Sequence, residues 1–135
     1  FYVNEGWNVL CIGSKNDEDI GIEIDSLNNL RSNESFINLI GKTSLQDAID
    51  ILAFTEKVVT NDSGLMHIAA AVKTPLVALY GPSSPEYTPP LISKKKILRK
   101  TQGYEKVRYG SNEKGYHQSL LDIKPEEVLD ALEAL

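Results

Sequence analysis

The 135-residue chain has 41% hydrophobic and 24% charged residues and a formal net charge of −5, the balance of an ordinary globular domain. The acidic surplus argues against broad nucleic-acid binding, which needs a basic surface. No apolar run approaches the roughly 20 residues of a membrane helix, and no basic segment precedes an apolar one as in a signal peptide.

Trp7 to Ile12 is a short apolar run ending at Gly13 and predicts a buried strand. Asn16 or Asp17 is placed to cap a helix, and Ile20, Ile24 and Leu27 recur at near-helical spacing up to about Arg31. Phe36 to Ile40 predicts a second strand, closed by Gly41. Thr43 and Gln46 fit a capping box, ahead of the stripe Leu45, Ala48, Ile49, Leu52 and Ala53. Lys57 to Thr60 predicts a third strand, Asn61 to Gly64 a turn, and Leu65, Ile68, Ala69 and Val72 the buried stripe of a third helix, with Pro75 as its stop signal. Leu76 to Tyr80 predicts a fourth strand. Gly81 to Pro90 carries four prolines and is a loop with little freedom. Ile97 and Leu98 suit a fifth strand. Residues 101–119 lack periodicity and are expected to be irregular. Pro125 suits the first position of a last helix, whose apolar side is Val128, Leu129, Leu132 and Leu135.

Alternation of strand and helix predicts an α/β fold, a doubly wound, Rossmann-like parallel sheet in one domain over residues 1–135. The chain opens on Phe1 rather than Met, and the first strand starts only at Trp7; the expectation is a portion of a longer protein. Cys11 has no second cysteine to pair with and reads as a small buried hydrophobe in a reducing compartment. His67 and His117 are far apart, and no cluster has zinc-ligand spacing, so no metal is expected.

In such sheets ligands bind beyond the carboxyl ends of the strands. Three loops qualify: 13–17, 61–64 and 81–90. In Thr60-Asn61-Asp62-Ser63-Gly64-Leu65-Met66-His67 a strand passes into a helix through small polar residues. Gly64 permits close approach of a ligand to the backbone, and the free N–H groups of the first helical turn attract anions such as a diphosphate. Ser63 suits a phosphate contact or a helix cap, and Asp62 a cap as well. His67 lies roughly 200° around the helix from Leu65, at about 100° per residue, and so falls off the apolar stripe. In Gly13-Ser14-Lys15-Asn16-Asp17, Lys15 suits a phosphate and Asp17 a ribose hydroxyl; an ordinary capped turn is the other reading. This loop is neither a Walker loop nor G-x-G-x-x-G. The proline-stiffened loop 81–90 limits the entropy lost on binding if it borders the cleft. Seven of the 14 Lys and Arg lie between Lys94 and Arg108, either as a solvated loop or as a contact for an anionic acceptor or membrane surface.

Taken together these motifs resemble glycosyltransferase family 9, the ADP-heptose–lipopolysaccharide heptosyltransferases. The resemblance runs from Asn38-Leu39-Ile40-Gly41 through Val59 to Ala71 and Pro75 to Pro85, with Gly13 to Asp17 also fitting. Gly115-Tyr116-His117-Gln118-Ser119-Leu120 is similar to a segment of the type II members. Departures from the pattern are few; Glu105 stands where a basic or neutral residue is expected. The resemblance implies the C-terminal half of a GT-B glycosyltransferase: the half that binds the ADP-sugar, with the acceptor domain outside this chain. It implies that Asp62 contacts the heptose hydroxyls and that Ser63 and Gly64 hold the diphosphate. His67 would lie near phosphate or sugar, with Ser14, Lys15 and Asp17 near the nucleotide. The implied reaction moves L-glycero-D-manno-heptose from ADP-heptose to inner-core heptose of lipopolysaccharide with inversion. No cofactor is expected, and no catalytic base lies in this chain, so alone it should bind donor without transferring sugar. The implied location is cytoplasmic, at the inner face of the inner membrane. Two competing readings are another enzyme of this architecture, such as a UDP-sugar epimerase, and a non-enzymatic nucleotide-binding module. The epimerases continue Asp-Ser-Gly with a second glycine and a glutamate, where this chain has Leu65, Met66 and His67.

Overall fold

The computed structural model describes residues 1–27, 34–103 and 115–135. The chain forms two compact units, Phe1–Ala48 and Ile49–Leu135.

In the first unit, strand β1 (Val9–Cys11) leads through a single 3-10 turn (Lys15–Asp17) into α1 (Glu18–Ser26). Strand β2 (Phe36–Asn38) pairs in parallel with β1, Val9 opposite Phe36 and Cys11 opposite Asn38. A parallel partner is reached only by a crossover, and α1 lies in it. Gly21 is the buried residue of α1. A Cβ there would stand 2.9 Å from Asn38 Nδ2 and 3.2 Å from Ile40 Cδ1, so the helix packs backbone-close onto the residues around β2. Cys11 is half-buried rather than fully buried. Burial, then the charge of Asp25, pushes its thiol up, which keeps it protonated at neutral pH.

Helix α2 (Leu45–Phe54) starts one residue later than the Thr43/Gln46 box predicts. Ser44 Oγ accepts from Asp47 N at 3.1 Å, while Asp47 Oδ2 accepts from Ser44 N at 2.8 Å and from Ser44 Oγ at 2.6 Å. A carboxylate accepts more strongly than an amide, so the Ser44/Asp47 pair prevails over its neighbour. These bonds, the side-chain one foremost, hold the Asp47 carboxyl below its ordinary range. The cap is therefore at full strength above that range and weakens as pH falls through the lowered value. Ala48 and Leu52 are buried, but Leu45 is 67% exposed, so the apolar stripe is narrower than the periodicity suggests.

The second unit is built on three parallel strands in the order β3 (Val58–Asn61), β4 (Leu76–Tyr80), β5 (Lys95–Arg99). Leu76, Val77, Ala78 and Tyr80 have no exposed surface. Successive strand residues point to opposite faces, so both faces of β4 are covered, and α3 (Gly64–Ala71), α4 (Gln118–Leu121) and α5 (Pro125–Glu133) pack against it. β3 and β4 are joined through α3. β4 and β5 are also parallel, yet residues 81–94 between them contain no helix; the crossover is the proline-stiffened loop. Lys73, in the turn after α3, has φ +67°. An L-residue there costs about 1 kcal/mol, against about 0.5 kcal/mol of extra unfolded-state entropy for glycine. Lys73→Gly is therefore expected to raise stability by about 0.5 kcal/mol in urea denaturation, and an unchanged or lowered midpoint would contradict this.

Helix α5 begins at Pro125 as expected. Glu127 Oε2 accepts from Lys124 N at 2.9 Å, and Ala131 and Leu132 are its buried residues. Glu127 also pairs with Lys100. That bond, then the one from Lys124 N, holds the Glu127 carboxyl below its ordinary range. Helix α4 begins at the end of the stretch 101–119 expected to be irregular and runs two residues past it. It is too short for periodicity to reveal, and His117 caps it, its Nδ1 accepting from Ser119 N at 3.3 Å. The expected end of α1 near Arg31 and residues 104–114 lie outside the described residues.

Candidate functional site

Because β3, β4 and β5 are parallel, they end at one edge of their sheet. Asn61 pairs with Leu79 and Tyr80 with Arg99, so the three carboxyl ends are nearly level. Asp62 N still donates to Leu79 O at 3.2 Å, which carries the ladder one residue past β3. The chain then turns at Ser63 into α3. This edge holds the segment 62–67, the loop 81–90 and the end of β5.

Ser63 occupies the N-cap position in extended backbone, yet its hydroxyl makes no cap bond. Its Oγ is buried without a partner, and among the described residues only Arg99 Nε shares that state. Both orphaned atoms sit at the carboxyl edge of the sheet. A buried polar atom left unpaired costs about 1–3 kcal/mol, so native proteins seldom keep one without a use. In this structure the Ser63 hydroxyl does not serve as the helix cap.

Met66 N donates to Ser63 O at 3.1 Å. The Gly64 and Leu65 N–H groups precede that bond, where a helix has no acceptor of its own to give. Gly64 does not have positive φ, and a Cβ built on it would meet nothing within 4 Å. The protein's own packing therefore gives no reason for glycine here; the space above the helix start is open. His67 is exposed, one turn into α3. Helical side chains tilt toward the N-terminus. The buried residues of α3 are Met66, Ala69 and Ala70. The core face is thus centred on Met66 rather than on the expected Leu65, which is only half-buried.

Asp62 is half-buried, and its Oδ2 accepts from Thr88 Oγ1 at 3.1 Å. Thr88 lies in the loop 81–90, and no motif in the sequence points to it. Tyr80 OH donates to Thr88 O and stands 3.5 Å from Met66 Sδ. Burial, then the Asp62 charge, pushes the Tyr80 phenol up, so it remains a protonated donor. Ser84 is 2% exposed; its Oγ accepts from Arg99 Nη1 at 3.4 Å. Arg99, the last residue of β5, thus brings a cation to the edge. Periodicity concealed it within the basic run.

In the first unit, Ser14, Lys15 and Asp17 follow β1. Asp17 Oδ2 accepts from Ser14 N at 2.9 Å and from Ser14 Oγ at 2.6 Å. Those bonds close the capped turn, while Lys15 is exposed. Among the described residues no group of three His, Cys, Asp or Glu side chains is placed to hold a metal ion, and no helix is long and apolar enough to cross a membrane.

Fold and edge together define a Rossmann-like α/β protein with parallel sheets, of the kind found in GT-B glycosyltransferases. The chain belongs to glycosyltransferase family 9 (heptosyltransferase), whose family model matches residues 1–117. Lipopolysaccharide heptosyltransferase 2 of Salmonella typhimurium is 50% identical over 133 residues, which is 98% of this chain and 38% of that protein. The solved structure of E. coli ADP-heptose lipopolysaccharide heptosyltransferase II superposes with a TM-score of 0.86 at 45% identity, over 98% of this chain and 37% of that one. Lipopolysaccharide heptosyltransferase 1 of Salmonella typhimurium matches only 37% of this chain, at 36% identity, and 16% of its own length. The likeness is therefore to the type 2 members, as the Gly115–Leu120 segment suggests, and the epimerase and binding-module readings are not favoured. The chain spans less than two-fifths of the length of these type 2 relatives.

Proposed function

We propose that this chain is the donor-binding, C-terminal half of a GT-B heptosyltransferase. The enzyme moves L-glycero-D-manno-heptose from ADP-heptose to inner-core heptose of lipopolysaccharide, with inversion. Family membership supports the reaction class. The observation that carries the site is the buried, partnerless Ser63 hydroxyl at the start of α3, below open space at Gly64.

In this reading the first turn of α3, with Ser63 and Gly64, holds the diphosphate. Transfer of an activated sugar builds negative charge on the departing ADP, and donors fixed beforehand at that point lower the barrier. Asp62 engages heptose hydroxyls, and His67 stands at the phosphate or sugar. Ser14, Lys15 and Asp17 serve the nucleotide; the Ser14–Asp17 pairing supports a role for Asp17 in shaping the turn that presents Lys15. The base that takes the acceptor proton and the lipopolysaccharide acceptor site belong to the other half of the enzyme. No cofactor beyond the donor is required. The exposed Lys94 and Lys96 suit peripheral contact with an anionic membrane at its cytoplasmic face.

The test compares adenosine, AMP and ADP by amide chemical shifts. The diphosphate is expected to move Gly64 and Leu65 most, with ADP at least about tenfold tighter than adenosine, a difference of about 1.4 kcal/mol. Equal affinity for the three, or shifts that avoid α3, would contradict a diphosphate at this helix.

A further inference from the structure

We propose that Thr88 is a positioning residue whose hydroxyl fixes the Asp62 carboxylate for the sugar end of the donor, an inference that rests on the donor-binding reading. Thr88 Oγ1 has a single proton and two acceptors in range, Asp62 Oδ2 at 3.1 Å and Ser84 O at 3.3 Å. The carboxylate is charged and closer, and charge-assisted bonds are the stronger ones. Ser84 O also receives Tyr87 N at 3.1 Å and Thr88 N at 3.3 Å, so its lone pairs are already engaged. The proton of Thr88 therefore goes to Asp62.

The loop that carries Thr88 is anchored on every side. Tyr80, with no exposed surface, holds Thr88 O through its phenol. Ser84, within the loop, is buried, and Glu86 N donates to its Oγ at 3.3 Å. Lys95 Nζ donates to Pro90 O at 2.9 Å. Pro82, Pro85, Pro89 and Pro90 fix φ along the way. The crossover from β4 to β5 is thus a rigid arm that presents one hydroxyl to the carboxylate beyond β3. A half-buried aspartate next to a site of open space would otherwise sample several rotamers. Holding it in one before the donor arrives removes that ordering cost from binding.

The test uses this chain, Thr88→Val and Thr88→Ser. Valine keeps the shape and the backbone carbonyl that anchors Tyr80 but removes the hydroxyl. Serine keeps the hydroxyl. Three-bond couplings at Asp62 report its χ1 without any ligand; one rotamer is expected in the wild type and in Thr88→Ser, and averaging in Thr88→Val. Titration with ADP-heptose is expected to show about tenfold weaker binding for Thr88→Val and no more than about twofold for Thr88→Ser, with ADP, which lacks the sugar, bound within about twofold by all three. An unchanged Asp62 rotamer in Thr88→Val, or equal losses in the valine and serine variants, would overturn the proposal. If none of the three chains binds ADP-heptose, the donor reading itself fails, and the rotamer measurement alone decides whether Thr88 fixes Asp62.

Discussion

Gly64→Ala is expected to fold with unchanged or higher thermal stability and to lose at least about tenfold in affinity for ADP-heptose. A methyl group at Gly64 meets no protein atom within 4 Å, and the backbone there needs no positive φ. Alanine is the better helix residue by up to about 1 kcal/mol in a helix interior and by less in a first turn. Stability therefore has no reason to fall. The same methyl group projects into the space where the diphosphate would approach the Gly64 and Leu65 amides, and pushing the ligand back lengthens each of those bonds. A tenfold loss corresponds to about 1.4 kcal/mol, about one charge-assisted hydrogen bond. Thermal melting and calorimetric titration on the same preparation check both halves. Unimpaired binding would place the ligand elsewhere, and a destabilised fold would mean that glycine serves packing after all.

Met66→Ala has the largest expected effect on stability, a loss of about 2–4 kcal/mol, because it opens a cavity in a fully buried site. That is a large share of the roughly 5–15 kcal/mol that holds a domain together. Leu65→Ala, at a half-buried position, should cost less than half as much. The pair of variants tests the rotation of α3 directly, and equal losses would restore the stripe read from the sequence. The consequence extends to the site, since Met66 Sδ lies 3.5 Å from the Tyr80 phenol that anchors Thr88 O. A cavity there should loosen the loop 81–90 as well as the core. Chemical denaturation of both variants, followed by amide shifts of residues 84–90, would show it.

Much of the fold was legible in the sequence because it rests on local patterns. Short apolar runs located the five strands found among the described residues, and Pro125 marked the start of α5. The Asp62-Ser63-Gly64 junction stood out because it carries a strand into a helix through small polar residues, a pattern that suits an anion as well as a cap. What was not legible depends on partners distant in the chain. The choice of Ser44 over Thr43 as the cap turned on a competition between two neighbouring boxes. Met66 supplanted Leu65 because the sheet below α3 decides which face is buried, and a helix rich in small apolar residues carries little periodicity to say so. Thr88 and Arg99 reach the edge through a crossover whose path follows from parallel pairing of β4 and β5. The four-residue α4 is shorter than any period that could reveal it. That Ser63 caps nothing cannot be read from its identity, since serine at that position is the preferred cap.

The most direct test of donor binding is a titration of this chain with ADP and, separately, with UDP, followed by amide shifts and repeated on Asp62→Ala and His67→Ala. ADP is expected to shift residues 61–67 and 13–17 in preference to UDP, and Asp62→Ala, titrated also with ADP-heptose, to weaken the nucleotide sugar more than ADP. Preference for UDP, or saturation with ADP that leaves residues 61–67 unmoved, would contradict it.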